Sequence, residues 1–134
     1  MNRVSSVRWL AAACLLSFAA GAGATAALRA QSKAQEASRR EPQFDNQYVS
    51  VWKSIIMPNQ PLTLHRHDHA RALVALTDGQ LQVVDKSGKR LDTYNLVRGK
   101  AIWLKADPPG QMHADVNGSG KPIEVIVVQL KNDR

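Results

Sequence analysis

Four histidines, all beyond residue 64, are the residues of this chain best suited to chemistry: His65, His67, His69 and His113. In His65-Arg66-His67-Asp68-His69 the rings alternate with an arginine and an aspartate. An extended backbone would set the three imidazoles on one face, neighbours about 7 Å apart at roughly 3.3 Å rise per residue. Two such rings can lean onto one ion at metal–nitrogen distances of about 2.0–2.1 Å, and a third ligand must then come from another strand. His113, just past the Pro108-Pro109-Gly110 corner, is the candidate. His69 is expected at the pocket mouth, as a proton carrier or a further nitrogen ligand. The competing reading is a histidine-rich surface strand that binds nothing specific. Asp68 alternates away from the rings and is expected to be exposed.

Elements able to position these side chains follow from the turn chemistry. After residue 43 the chain breaks into β-type runs: 48–57, 62–69, 71–77, 80–85, 90–96, 101–104, 112–117 and 123–130. Between them stand Pro58-Asn59-Gln60-Pro61, Asp78-Gly79, Lys86-Ser87-Gly88-Lys89, Arg98-Gly99, Pro108-Pro109-Gly110 and Asn117-Gly118-Ser119-Gly120. Short strands at near-regular spacing predict an all-β sandwich or barrel, and no segment supports a long amphipathic helix. The Cys-Trp-Cys pattern of an immunoglobulin sandwich is missing, so a double-sheet jelly roll fits better.

The N-terminus reads differently. Arg3 and Arg8 precede an uncharged, alanine- and leucine-rich run that lasts to Arg29, with small residues at Ala22-Gly23-Ala24 and Ala24-Thr25-Ala26. This pattern predicts a secretory signal over 1–26 and a periplasmic or secreted protein. The alternative is an uncleaved anchor facing the periplasm, a membrane tether through residues 9–28 of about the 20 residues that a spanning helix needs. Residues 27–45 are expected to be a polar linker and 46–131 the folded domain. The single cysteine, Cys14, lies in the apolar run, which leaves no disulfide framework.

Charge gains meaning from this division. The formal net charge is +7 over 134 residues. Residues 1–41 carry six basic and two acidic side chains, so +4 of the excess belongs to signal and linker and +3 is spread over the rest. Mixed charges with few aromatics offer neither a basic stripe nor a stacking platform, so no nucleic-acid partner is expected.

Residues 59–79, NQPLTLHRHDHARALVALTDG, resemble the first motif of the cupin family, G(X)5HXH(X)3-4E(X)6G, with His65 and His67 at the ligand positions and Gly79 at the closing glycine. Residues 108–117, PPGQMHADVN, resemble the second motif, with Pro108, Gly110, His113 and Asn117 in PXG(X)2H(X)3N spacing. The likeness spans about residues 47–130 and resembles the small one-domain bacterial cupins. It implies a double-stranded β-helix, a jelly-roll barrel whose pocket holds a divalent metal ion (Fe, Mn, Ni, Cu or Zn), with His65, His67 and His113 as ligands. It also implies a homodimer and a small-molecule ligand, with Trp103 and Met112 lining the pocket beside the second-motif corner. Asn117 is expected to support the turn beyond His113.

Two departures matter. Asn59 stands where the opening glycine belongs, and Arg71 and Ala72 occupy the two places open to the glutamate. Without that carboxylate, either three histidines hold a metal with open positions, or metal binding is lost and Arg71, if inward, anchors a carboxylate or phosphate through its planar fork. An outward Arg71 would be a solvated surface residue. Two functions follow: a metal-dependent oxygenase or isomerase using Lewis-acid or oxygen activation, and a non-catalytic small-molecule-binding or accessory protein.

Overall fold

The computed structural model describes residues 36–133. The expected export signal over 1–26, the anchor alternative over 9–28 and the first part of the linker lie outside these residues. Eight strands follow in chain order: β1 (Arg39–Asp45), β2 (Val49–Ile56), β3 (Arg71–Ala75), β4 (Gly79–Val84), β5 (Arg90–Leu96), β6 (Ala101–Leu104), β7 (Ala114–Asn117) and β8 (Ile123–Leu130). All pairings between them are antiparallel, in a five-stranded sheet β1-β2-β8-β3-β6 and a three-stranded sheet β5-β4-β7. This is the jelly-roll architecture that the turn spacing predicts, with the two inner faces enclosing one core.

The core follows from period-two patterning. On β8, Ile123, Val125 and Val127 face inward against Leu73 and Ala75 of β3, with Ile56, Leu62, Leu81 and Leu96 filling the space between the sheets. Register carries the same faces across strands, pairing Ile56 with Ile123, Ser54 with Val125 and Trp52 with Val127.

Two elements differ from the sequence expectation. The end of the expected linker is strand β1, paired along β2 from Arg39↔Ile55 to Asp45↔Ser50. Its residues, Arg-Arg-Glu-Pro-Gln-Phe-Asp, lack apolar alternation because an edge strand is held chiefly by backbone bonds and most of its side chains are exposed. Pro42 is tolerated at such an edge, and the register shifts between Pro42 and Phe44. Conversely, residues 62–69 form no continuous strand. They meet the neighbourhood of β7 at single points, Leu62 N donating to Asp115 O at 3.0 Å and His65 pairing with His113. Bends at Leu64 and at Asp68 and His69 interrupt the extended run, and just before it Pro58 and Pro61 lack backbone donors and Asn59 turns at φ 56°. Asparagine is among the few non-glycine residues that enter this left-handed region readily, which accounts for its standing in the glycine's place.

Candidate metal centre

The site begins with a backbone pair. His65 N donates to His113 O and His113 N donates to His65 O, each at 2.8 Å, which joins the two histidine motifs. Around this bridge the rings cluster, with centroids 4.3 Å apart for His65–His113, 5.0 Å for His65–His67 and 5.6 Å for His67–His113. One ligand nitrogen from each of the three lies within 4.8 Å of the others. Gly110 at φ 76° makes the corner that returns the chain to His113, a conformation that suits glycine.

Each ring is oriented by an acceptor on its Nδ1. Thr63 O lies 2.7 Å from His65 Nδ1, Gln129 Oε1 2.6 Å from His67 Nδ1, and Asp107 Oδ2 3.2 Å from His113 Nδ1. The oxygens facing His65 and His67 only accept, so these two hydrogen bonds place the proton on Nδ1 and leave Nε2 as the lone-pair nitrogen, while Asp107 faces His113 Nδ1 as a charge partner. That is the tautomer a metal ligand requires, held by outer partners in the manner of metal-binding histidines. Nε2 of His65 is buried and has no hydrogen-bond partner, the mark of a group that fits an ion. Burial lowers the pKa of all three rings, that of His67 to about 3, helped by the Arg71 cation. They are neutral at pH 7, so few protons compete for the lone pairs. The residues present fit a divalent metal with affinity for imidazole.

Arg71 faces inward and is buried. Its Nη1 donates to Lys105 O at 3.0 Å and its Nη2 to Asp107 Oδ1 at 3.3 Å. On β3 the inward parity falls on residue 71, while Ala72 pairs with the outward Trp103. Of the two places open to the missing glutamate, position 71 is therefore the one that faces the barrel. Asp107 ties the site together: it also accepts from His67 N at 2.6 Å, and its own amide donates to His67 O at 2.8 Å.

A cavity of about 20 Å³ touches His67, His113, Arg71, Asp115, Tyr94 and Arg40. A more open one, about 200 Å³, reaches Arg71, Tyr94, Asp107 and His113 from the side of β5. Burial holds the Asp115 carboxyl above its ordinary range, opposed by His65, Arg40 and Arg71. Burial and the Asp92 charge push the Tyr94 phenol up to about 12, so it remains a proton-bearing donor. Arg40 of β1 stands 5.1 Å above the Trp52 ring, which stacks on His67 at 5.7 Å with the planes 2° apart.

Three residues proposed from sequence stand elsewhere. His69 is not grouped with the other rings; its Nδ1 meets Asp133 Oδ1 at 2.5 Å. Period-two alternation holds only while the backbone is extended, and the chain bends at Asp68 and His69. Trp103 is 58% exposed because Ile102 and Leu104 take the inward positions of β6. Met112 is 41% exposed, on the opposite parity to inward His113. Asp68 is exposed as expected, its carboxylate 2.7 Å from Arg66. Asn117 is fully buried and donates to Ile56 O and Lys121 O, supporting the turn after β7.

Sequence reasoning missed Asp107, Gln129, Asp115, Tyr94 and Arg40. Gln129 was legible, since it continues the inward series Ile123, Val125, Val127 with a polar residue. Asp115 also was, two residues past His113 on the same face. Asp107 and Arg40 carry no periodic signal; a loop and an edge strand bring them in.

No family model matches the chain. Over 89 residues it is 33% identical to the beta-alanine degradation protein BauB of Pseudomonas aeruginosa, an overlap of 66% of this chain and 88% of BauB. Among solved structures, a cupin domain from Bordetella pertussis matches with a TM-score of 0.61 at 24% identity, over 71% of this chain and 94% of that one. An RmlC-like cupin with a double-stranded β-helix fold from Methanocaldococcus jannaschii matches with a TM-score of 0.54 at 11% identity, over 73% of this chain and 84% of its own. With both histidine motifs meeting across one backbone bridge inside this barrel, the chain belongs to the family of BauB and has the double-stranded β-helix fold of the cupins it resembles.

Proposed function

We propose that this protein is an exported cupin that binds a divalent metal ion through His65, His67 and His113 and presents it to a small anionic molecule in the barrel pocket. The observation that carries this reading is the convergence of three ring nitrogens within 4.8 Å, with His67 and His113 buried, His65 and His67 each hydrogen-bonded at Nδ1 and Asp107 3.2 Å from Nδ1 of His113. A bound ion supplies a Lewis acid that polarises a coordinated carbonyl or carboxylate oxygen.

The chain's own residues do the rest. Thr63, Gln129 and Asp107 hold the rings, Trp52 covers one face of His67, and Tyr94 offers a phenolic donor at the cavity wall. Arg71 and Arg40 border the same cavity and favour an anion. A small carboxylate suits such a pocket, in keeping with the relative named for the degradation of β-alanine, itself an amino carboxylate. Export rests on the N-terminal signal pattern. Homodimerisation is supported by a cross-strand row on the outer face of the five-stranded sheet, Phe44, Val51, Val128, Ala72 and Trp103, whose two end residues are large and exposed.

The buried, inward Arg71 favours a second reading, a metal-free binding protein with Arg71 as the anion anchor. Metal analysis separates the two. The purified protein, supplied with Fe, Mn, Ni, Cu or Zn, is expected to retain about one ion, and the His65→Ala/His113→Ala double variant none. Equal absence of metal from both sinks the metal reading and leaves the anion-binding one.

A further inference from the structure

We propose that Asp115 supplies the carboxylate that the first motif lacks, as a fourth protein ligand beside His65, His67 and His113. The inference deepens the metal-binding reading and rests on it. Position 71, where a glutamate would face the barrel, holds an arginine already engaged by Lys105 O and Asp107. The carboxylate of Asp107 is no candidate ligand, because its two oxygens serve Arg71, His67 N and His113 Nδ1.

Asp115 is placed differently. Residues 113 and 115 are two apart, so both face inward, and Asp115 stands opposite the inward Val83 of β4. Its Oδ2 lies 3.7 Å from His65 Nε2. That is too long for a hydrogen bond; the carboxylate stands just outside the group of three ring nitrogens that lie within 4.8 Å of one another, and as a ligand it would close on His65 Nε2 from 3.7 Å to the roughly 3.0–3.4 Å expected between neighbours that each lie about 2.0–2.2 Å from one ion. Among the described residues, no hydrogen bond reaches the Asp115 carboxylate, and His65 Nε2 is buried without a partner. An unpartnered lone pair and a half-buried carboxylate facing each other are mutually unfavourable, and a cation seated between them satisfies both. With Arg71 and Asp107 opposing each other's charge, Asp115 is the remaining carboxylate beside the rings, and Arg40 on the same cavity wall also faces it. The carboxylate has thus moved from the first motif to the second.

The test is competition titration of Co²⁺ and Zn²⁺ against a chromophoric chelator, on the full chain and its Asp115→Asn, Asp107→Asn and His65→Ala/His113→Ala variants, with the visible spectrum of each Co²⁺ form. Asp115→Asn is expected to weaken binding about 10- to 100-fold, the range found when a metal site loses a supporting group, and to change the Co²⁺ bands. Asp107→Asn is expected to weaken binding while leaving the bands in place, because it acts through His113. A second readout needs no variant: in the Co²⁺ form of the unmutated protein grown with β-deuterated aspartate, one aspartate signal should be shifted far outside the ordinary range. Wild-type affinity and bands in Asp115→Asn, or no shifted aspartate signal, overturn the assignment while the three-histidine site stands. If the unmutated protein takes up neither ion, both readings fall together.

Discussion

The inside of this barrel has two ends built by the same strands. Along β8 the inward residues run Ile123, Val125, Val127 and then Gln129, which binds His67; along β3 they run Ala75, Leu73 and then Arg71; along β2, Ile56, Ser54 and then Trp52. One end is a dry plug, with Ile56 and Ile123 entirely buried. The other gathers three histidines, Asp107, Asp115, two arginines and a tyrosine within a few residues of the plug. The difference shows how a domain of modest size keeps a polar interior. Burying unpaired polar groups is costly, so Nδ1 of His65 and of His67 is hydrogen-bonded and Asp107 faces that of His113, and the apolar end supplies the cohesion that the polar end cannot.

The largest effect should come from the plug. Ile123→Ala is expected to destabilise the protein by about 2–5 kcal/mol, read from urea unfolding, because a fully buried side chain leaves a cavity. The affinity of the folded fraction for Co²⁺ should hardly change. A loss of affinity as large as the loss of stability would mean that the two ends are one cooperative unit.

Acid should act on the other end. The folded pKa of His67 lies below its unfolded value, at about 3 against 6.5. Between those values the unfolded chain binds more protons, so the stabilising contribution is complete above pH 6.5 and is lost as pH falls. A drop of about 2 kcal/mol by pH 5 is expected for the apoprotein from His67 alone. His67→Gln should flatten the curve, measured by urea midpoints between pH 7 and pH 4; an unchanged slope would remove His67 from the acid response.

Asp107→Asn should cost about tenfold in metal affinity, or roughly 1.4 kcal/mol, by loosening His113 and freeing Arg71. The smallest effect belongs to Trp103→Ser on the outer face. It should alter unfolding by about 0.5 kcal/mol or less and leave Co²⁺ affinity unchanged, while sedimentation should show weaker self-association. A Trp103 variant that binds metal poorly would place the outer face in communication with the site.

Seven of the eight strands were legible in the sequence because turn residues and period-two patterning are local signals. β1 was not, since an exposed edge strand needs no apolar alternation, and residues 62–69 alternated convincingly yet form no continuous strand because the chain bends at Leu64 and again at Asp68 and His69. His65, His67 and His113 could be read as a group from motif spacing. His69 could not be excluded from the face of its neighbours, because spacing says nothing about a bend at Asp68.

The sequence by itself determined the all-β class, the paired histidine motifs and the absence of the usual glutamate, all properties of residue type and spacing along the chain. Only the tertiary structure decided that Arg71 turns inward to Asp107, that His65 and His67 present Nε2, and that Asp115 comes within 3.7 Å of His65. Those facts depend on strand register and on partners 2–62 residues apart in the chain, from Thr63 beside His65 to Gln129 beside His67, and most such distances are set by packing rather than by any local pattern.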